Sequence, residues 1–192
     1  MPLPAGRRCD GHEPFRMQRA LLVIDMQNEL VDSLPAQRRS ELISAVGALV
    51  HRARARGTPV VYVRHNDDGP LRLGTPPWEI AAEVAPRNGE PIVEKQHADA
   101  FVETGLTEVF SVRKIDELVV CGMQSDFCVD ATIRGALERG YRVTLAEDAH
   151  ATYADGGKTE REIIDELHRE LRGRSVSLSA VDAVHFEQPW PM

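Results

Sequence analysis

The chain runs to 192 residues with 42% hydrophobic and 28% charged side chains, enough to bury one core and ordinary for a globular protein. Its formal net charge of −7 argues against nucleic acid or an anionic membrane surface as the main partner. The apolar run from Ala20 to Ile24 is far too short to span a bilayer, and Arg7-Arg8 precedes no apolar signal segment, so the expected location is the cytoplasm.

Residues 1–18 carry Pro2, Pro4, Gly6, Gly11 and Pro14 and no periodic pattern, so they read as a disordered leader, with Met17 an alternative start to Met1. Residues 19–192 then read as a single domain. Leu21 to Ile24 is a continuous apolar run of the kind buried on both faces of a parallel sheet, and it ends at Asp25. A helix is expected over 40–56, with Ser40 as N-cap, an apolar face of Leu42, Ile43, Val46, Leu49 and Val50, and Gly57 closing it. Pro59 to Val63 is the second strand. The stretch 65–90, with Gly69, Pro70, Gly74, Pro76, Pro77, Trp78, Pro86 and Gly89, reads as a long loop, functional or disordered. Pro91 to Glu94 is a third strand that delivers Lys95, and a fourth is expected over 117–121. A helix follows, with Val129, Ile133, Ala136 and Leu137 on one face, and it closes near Gly140. A strand over 141–145, a helix over 158–172 and a short strand over 175–178 complete the pattern. This alternation predicts a three-layer α/β/α sandwich around a mainly parallel, roughly six-stranded sheet.

Three cysteines without a C-x-x-C pair make a disulfide framework or a zinc finger improbable. Cys9 lies in the leader, and Cys121 ends an apolar strand as a small buried hydrophobe. Cys128 falls at a strand-to-helix turn, where unpaired backbone N–H groups favour thiolate over thiol. Asp25 and Lys95 also sit just beyond strand ends, and ligands of open parallel sheets bind outside those ends. Taken singly, Asp25 reads as a turn cap, Lys95 as a solvated charge and Cys128 as core. Together they supply a base, an ammonium and a thiol, the parts of a nucleophilic centre.

The blocks Ala20–Gln27 (ALLVIDMQ), Glu94–Leu106 (EKQHADAFVETGL) and Val119–Thr132 (VVCGMQSDFCVDAT) resemble the signature blocks of the isochorismatase-like cysteine hydrolases, in family order and spacing. The resemblance implies a catalytic triad of Asp25, Lys95 and Cys128. It implies a cis peptide between Met123 and Gln124, and an oxyanion hole from the backbone N–H groups of Gln124 and Cys128. It further implies hydrolysis through a thioester, no organic cofactor, and a homodimer or homotetramer.

Nicotinamidases in this family carry a metal site built from Asp-x-His and further histidines. The corresponding stretch here, Arg64-His65-Asn66-Asp67-Asp68-Gly69, offers one histidine, and the next is His97. No metal is therefore expected, and His65 reads as a pocket or packing residue. Isochorismatases proper often lack the cysteine, so Cys128 points to an amidase. Gly74–Ile80 together with QSDFCVDAT is similar to streptothricin hydrolase-like members, which implies a small amide, lactam or carbamoyl substrate. Trp78, Leu30 and Phe127 are candidates to line its pocket, with Trp78 able to stack on a planar group, and each has an alternative reading as packing or interface. His150 lies at another strand end, its role open between the rim and a hydrogen-bonded loop. Nicotinamidase or isochorismatase chemistry, or ligand binding without catalysis on the same fold, are the alternatives.

Overall fold

The computed structural model describes residues 18–186. The expected leader, apart from Gln18, lies outside these residues, as do Cys9 and both candidate start methionines. Gln18 already belongs to β1 (Gln18–Ile24). The chain continues through α1 (Asn28–Asp32), α2 (Ala36–Ala55), β2 (Val60–His65), β3 (Ile92–Lys95), α3 (Leu106–Val112) and β4 (Ile115–Met123). A turn of the wide, π type over Ser125–Val129 leads into α4 (Asp130–Glu138), then β5 (Arg142–Ala151), α5 (Glu160–Arg172) and β6 (Ser177–Ser179).

The six strands lie in the order β3-β2-β1-β4-β5-β6, and every pairing between them is parallel. The pattern of β1 explains why the sheet needs cover on both sides. Leu21 and Val23 point into the cluster with Leu42, Val46 and Leu49 of α2. Ala20, Leu22 and Ile24 point into the opposite cluster, with Phe110 of α3, Ile133 of α4 and Leu167 of α5. All five are fully buried. Helices therefore cover both faces, giving an α/β/α sandwich of three layers.

Strand order reverses between β1 and β4. The chain moves outward from β1 through β2 to β3, then returns across the sheet to β4 on the other flank of β1. In parallel α/β sheets that reversal opens a crevice at the carboxyl ends of the two central strands. Asp25 follows β1, the turn bearing Cys128 follows β4, and Lys95 ends β3.

Several elements differ from the sequence pattern. Helix α2 begins at Ala36, directly after Pro35, so Ser40 lies within it and caps nothing. Pro35 presets the entry, and Gln37, Arg38 and Arg39 are good helix formers. Its end is as expected: Gly57 has φ +66, and the Thr58 N–H donates to the Ala53 carbonyl at 2.9 Å. The stretch 65–90 is neither bare loop nor disordered, since two short 3₁₀ turns (Pro76–Trp78 and Ala82–Val84) bury Leu71, Trp78, Ile80 and Val84. Strand β5 extends well past residue 145, because a register shift in β4 lets Gly122 pair with His150 and Met123 with Ala151. Gly122 is obligatory there: a Cβ would stand 2.0 Å from the Ile24 carbonyl oxygen, and φ is +119.

Candidate active site

The fold brings Asp25, Lys95 and Cys128 together from three strand ends. Lys95 Nζ lies 2.7 Å from Asp25 Oδ2 and 3.2 Å from Cys128 Sγ. Asp25 is 0% exposed, Lys95 2% and Cys128 7%, so all three groups are buried, Cys128 least completely. Asp25 takes φ +48, a left-handed conformation that Asp tolerates better than most residues and that clusters at functional sites. Its Oδ2 is paired with the buried Lys95 ammonium, and among the described residues its Oδ1 has no hydrogen-bond partner.

Burial pulls the Lys95 ammonium down, but the Asp25 carboxylate and the Cys128 sulfur outweigh it and hold its pKa above the ordinary lysine value. Burial pushes the Cys128 thiol up, the Asp25 charge adds to this, and Lys95 offsets only part, leaving it at about 12. This runs against the expectation that the turn favours thiolate over thiol. Burial beside a carboxylate costs a second anion more than the turn returns.

Cys128 sits in the π-type turn, where the Val129 N–H donates to the Gln124 carbonyl at 3.0 Å. The Met123–Gln124 peptide immediately before it is cis. Asp126 in the same turn accepts from Thr152 Oγ1 at 2.5 Å. Phe127 is 57% exposed beside the thiol. Leu30 is partly buried against the core on the α2 face. Trp78 is buried, and the Arg64 guanidinium carbon lies 3.2 Å from its ring centre, so that face of the indole already carries a partner.

The histidines separate. His65 Nδ1 lies 3.2 Å from Lys95 Nζ. His97 pairs with Glu103 at 3.0 Å on the surface. His150 lies at the carboxyl end of β5, as expected, one residue before its last, and is fully buried. Its Nδ1 meets Ser125 Oγ at 2.7 Å and its Nε2 meets His168 Nε2 at 2.9 Å, a chain from behind the Cys128 turn to α5. A metal site of the nicotinamidase kind does not fit this donor set: His65 faces an ammonium, and His97 is engaged elsewhere. Among the described residues no three His, Cys, Asp or Glu side chains converge as ligands.

The sequence reading passed over Gln27. Fully buried after β1, its Oε1 accepts from the His65 N–H at 2.9 Å, while its Nε2 donates to the carbonyls of His65 at 2.8 Å and Trp78 at 2.9 Å. The signal was a glutamine two positions past a fully buried strand, which needs polar partners for every atom.

Comparison with known proteins bears on the family. Two streptothricin hydrolases from Streptomyces noursei are each 40% identical to it, over 70% and 72% of this chain; the chain spans 50% and 56% of their lengths, about half of these curated relatives. The solved structure of an isochorismatase from Pseudomonas putida KT2440 superimposes with a TM-score of 0.81 at 27% identity, covering 91% of this chain and 94% of that one. That of N-carbamoylsarcosine amidase from Thermoplasma acidophilum does so with a TM-score of 0.75 at 27% identity, covering 88% and 100%. Residues 19–165 match the model of the isochorismatase domain, and with the parallel sheet and its crevice this shows that the chain belongs to the isochorismatase family.

Proposed function

We propose that the chain is a cysteine hydrolase that cleaves a C–N bond of a small amide, lactam or carbamoyl compound through a thioester on Cys128, without a metal. The observation that carries the reading is Lys95 Nζ, buried 2.7 Å from a carboxylate and 3.2 Å from a thiol at the crevice of the sheet. A binding protein has no use for a base, an ammonium and a thiol assembled in that way. Relatives named as a streptothricin hydrolase and an N-carbamoylsarcosine amidase support the hydrolase class.

In this mechanism the Asp25 carboxylate takes the proton of Cys128 as Sγ attacks the carbonyl carbon. The tetrahedral oxyanion is received by the N–H groups of Gln124 and Cys128. The Asp25 carboxyl then gives its proton to the departing nitrogen, the C–N bond breaks, and an acyl thioester is left. Water attacks that thioester, Asp25 takes its proton, and the acid leaves as Sγ is reprotonated. Lys95 holds the negative charge in place throughout. Phe127 and Leu30 remain the candidates to bound the acyl pocket, while the face of Trp78 toward Arg64 is already covered. Free thiols at Cys121 and Cys128 suit a reducing, cytoplasmic setting, and the family resemblance favours a homodimer or homotetramer.

The test is a panel of small amides and lactams monitored for ammonia or amine release, with Cys128→Ala as control and intact mass measured during turnover. An added acyl mass on Cys128 is expected; turnover that survives Cys128→Ala would overturn the reading. The same purified protein, sized by light scattering, reports the oligomeric state.

A further inference from the structure

We infer that His65 is a positioning residue for this reaction: its Nδ1 is the third acceptor of the Lys95 ammonium. The inference rests on Cys128 being the nucleophile. A lysine ammonium has three N–H groups and no lone pair, so each needs an acceptor when the head is buried. Lys95, 2% exposed, has three groups around its Nζ: Asp25 Oδ2 at 2.7 Å, Cys128 Sγ at 3.2 Å and His65 Nδ1 at 3.2 Å. Because the ammonium only donates, Nδ1 must hold a lone pair, which assigns the imidazole as neutral with its proton on Nε2.

The surroundings fix His65 in that role. It is the last residue of β2 and stands directly across from Lys95 in the β2–β3 register. The Gln27 amide grips its backbone from both sides, accepting from its N–H at 2.9 Å and donating to its carbonyl at 2.8 Å. With one N–H turned to the imidazole and another to the carboxylate, the third is directed at sulfur. Take the imidazole away and the head can swing toward a new acceptor, leaving the forming thiolate without its counter-ion.

The probe is iodoacetamide, with alkylation read peptide by peptide so that Cys128 is separated from Cys9 and Cys121. His65→Leu keeps bulk and removes the acceptor. His65→Asn presents an amide oxygen near the position of Nδ1. Loss of one hydrogen bond to a charged group corresponds to a fall of about tenfold or more in Cys128 alkylation rate for His65→Leu. His65→Asn is expected to stay within about threefold of wild type on the same scale. Cys121, fully buried, stays unlabelled while the fold is intact. If His65→Leu loosens the fold and Cys121 reacts, His65→Asn decides: a near-wild-type rate supports the inference, a loss as large as that of Lys95→Met overturns it. An unchanged rate in folded His65→Leu also overturns it. Lys95→Met and Asp25→Asn run alongside: if neither alters Cys128 labelling, it is the nucleophile reading that has failed, not the role of His65 within it.

Discussion

Replacing Asp25 by Asn separates the charge of the carboxylate from its work as a base. Asn has the same shape and tolerates the left-handed φ of +48, so the fold is expected to survive. In the wild type, burial and the Asp25 charge lift the Cys128 thiol from 9.0 to about 12 even with Lys95 alongside. That corresponds to about 4 kcal/mol against the thiolate. The Lys95 ammonium, 3.2 Å from Sγ, attracts a thiolate by about 5 kcal/mol at an effective dielectric near 20. In Asp25→Asn this attraction opposes burial alone, so the thiol pKa falls and the thiolate population at neutral pH rises at least about tenfold. Turnover nevertheless drops about a thousandfold, because nothing protonates the leaving nitrogen or activates water. The assay pairs a pH titration of thiolate ultraviolet absorbance, with Cys128→Ser as baseline, against turnover of the best substrate from the amide panel. A titration unmoved from the wild type, or turnover within tenfold of it, would refute the reasoning.

Lys95→Met strands the buried Asp25 charge and is expected to cost about 3–5 kcal/mol in chemical denaturation, while the double variant Asp25→Asn/Lys95→Met regains most of it; purely additive losses would contradict a buried ion pair. Gly122→Ala forces a Cβ to 2.0 Å from the Ile24 carbonyl and should cost about 4 kcal/mol or prevent folding, a result checked by circular dichroism melting. Burial, then the charges of His168 and Arg38, hold His150 down at about 3, against an ordinary 6.5. The unfolded chain therefore binds a proton that the folded chain refuses between those values. Stability from this residue is complete above the ordinary pKa and is lost as pH falls, by about 1.4 kcal/mol per pH unit. Urea denaturation at several pH values between them should show that slope, and His150→Asn should flatten it.

What could be read from the sequence was whatever the chain writes locally. The apolar run of β1, the glycines that close α2 and α4, and the residues at strand ends each sit in a short window with its own physical signature. Asp25, Lys95 and Cys128 stood out because a polar residue directly after a buried strand needs a reason to be there. Helices α1 and α3 escaped notice because one or two turns give no period: Leu106, Val109 and Phe110 mark a single face once. The Gln27 grip on His65 and the chain from Ser125 through His150 to His168 join residues far apart in sequence, and only the sheet order makes them neighbours. Trp78 read as a stacking platform because its cover, Arg64, belongs to another element.

The raised thiol pKa has a related origin, and it bears on the chemistry. Burial is a property of the whole fold, and here it sets what the cluster can do. A carboxylate paired with an ammonium beside a neutral thiol carries no net charge. Losing the thiol proton to solvent would leave one uncompensated negative charge in a site that is almost fully enclosed. Passing the proton to Asp25 instead keeps the trio neutral while still generating the thiolate beside its ammonium. The raised thiol pKa therefore argues for a local base rather than against a nucleophile. On the proposed mechanism the proton moves to Asp25 rather than to solvent, which requires the three groups to be buried together. The carboxyl ends of β1, β3 and β4 are where a parallel sheet with this strand order brings them together.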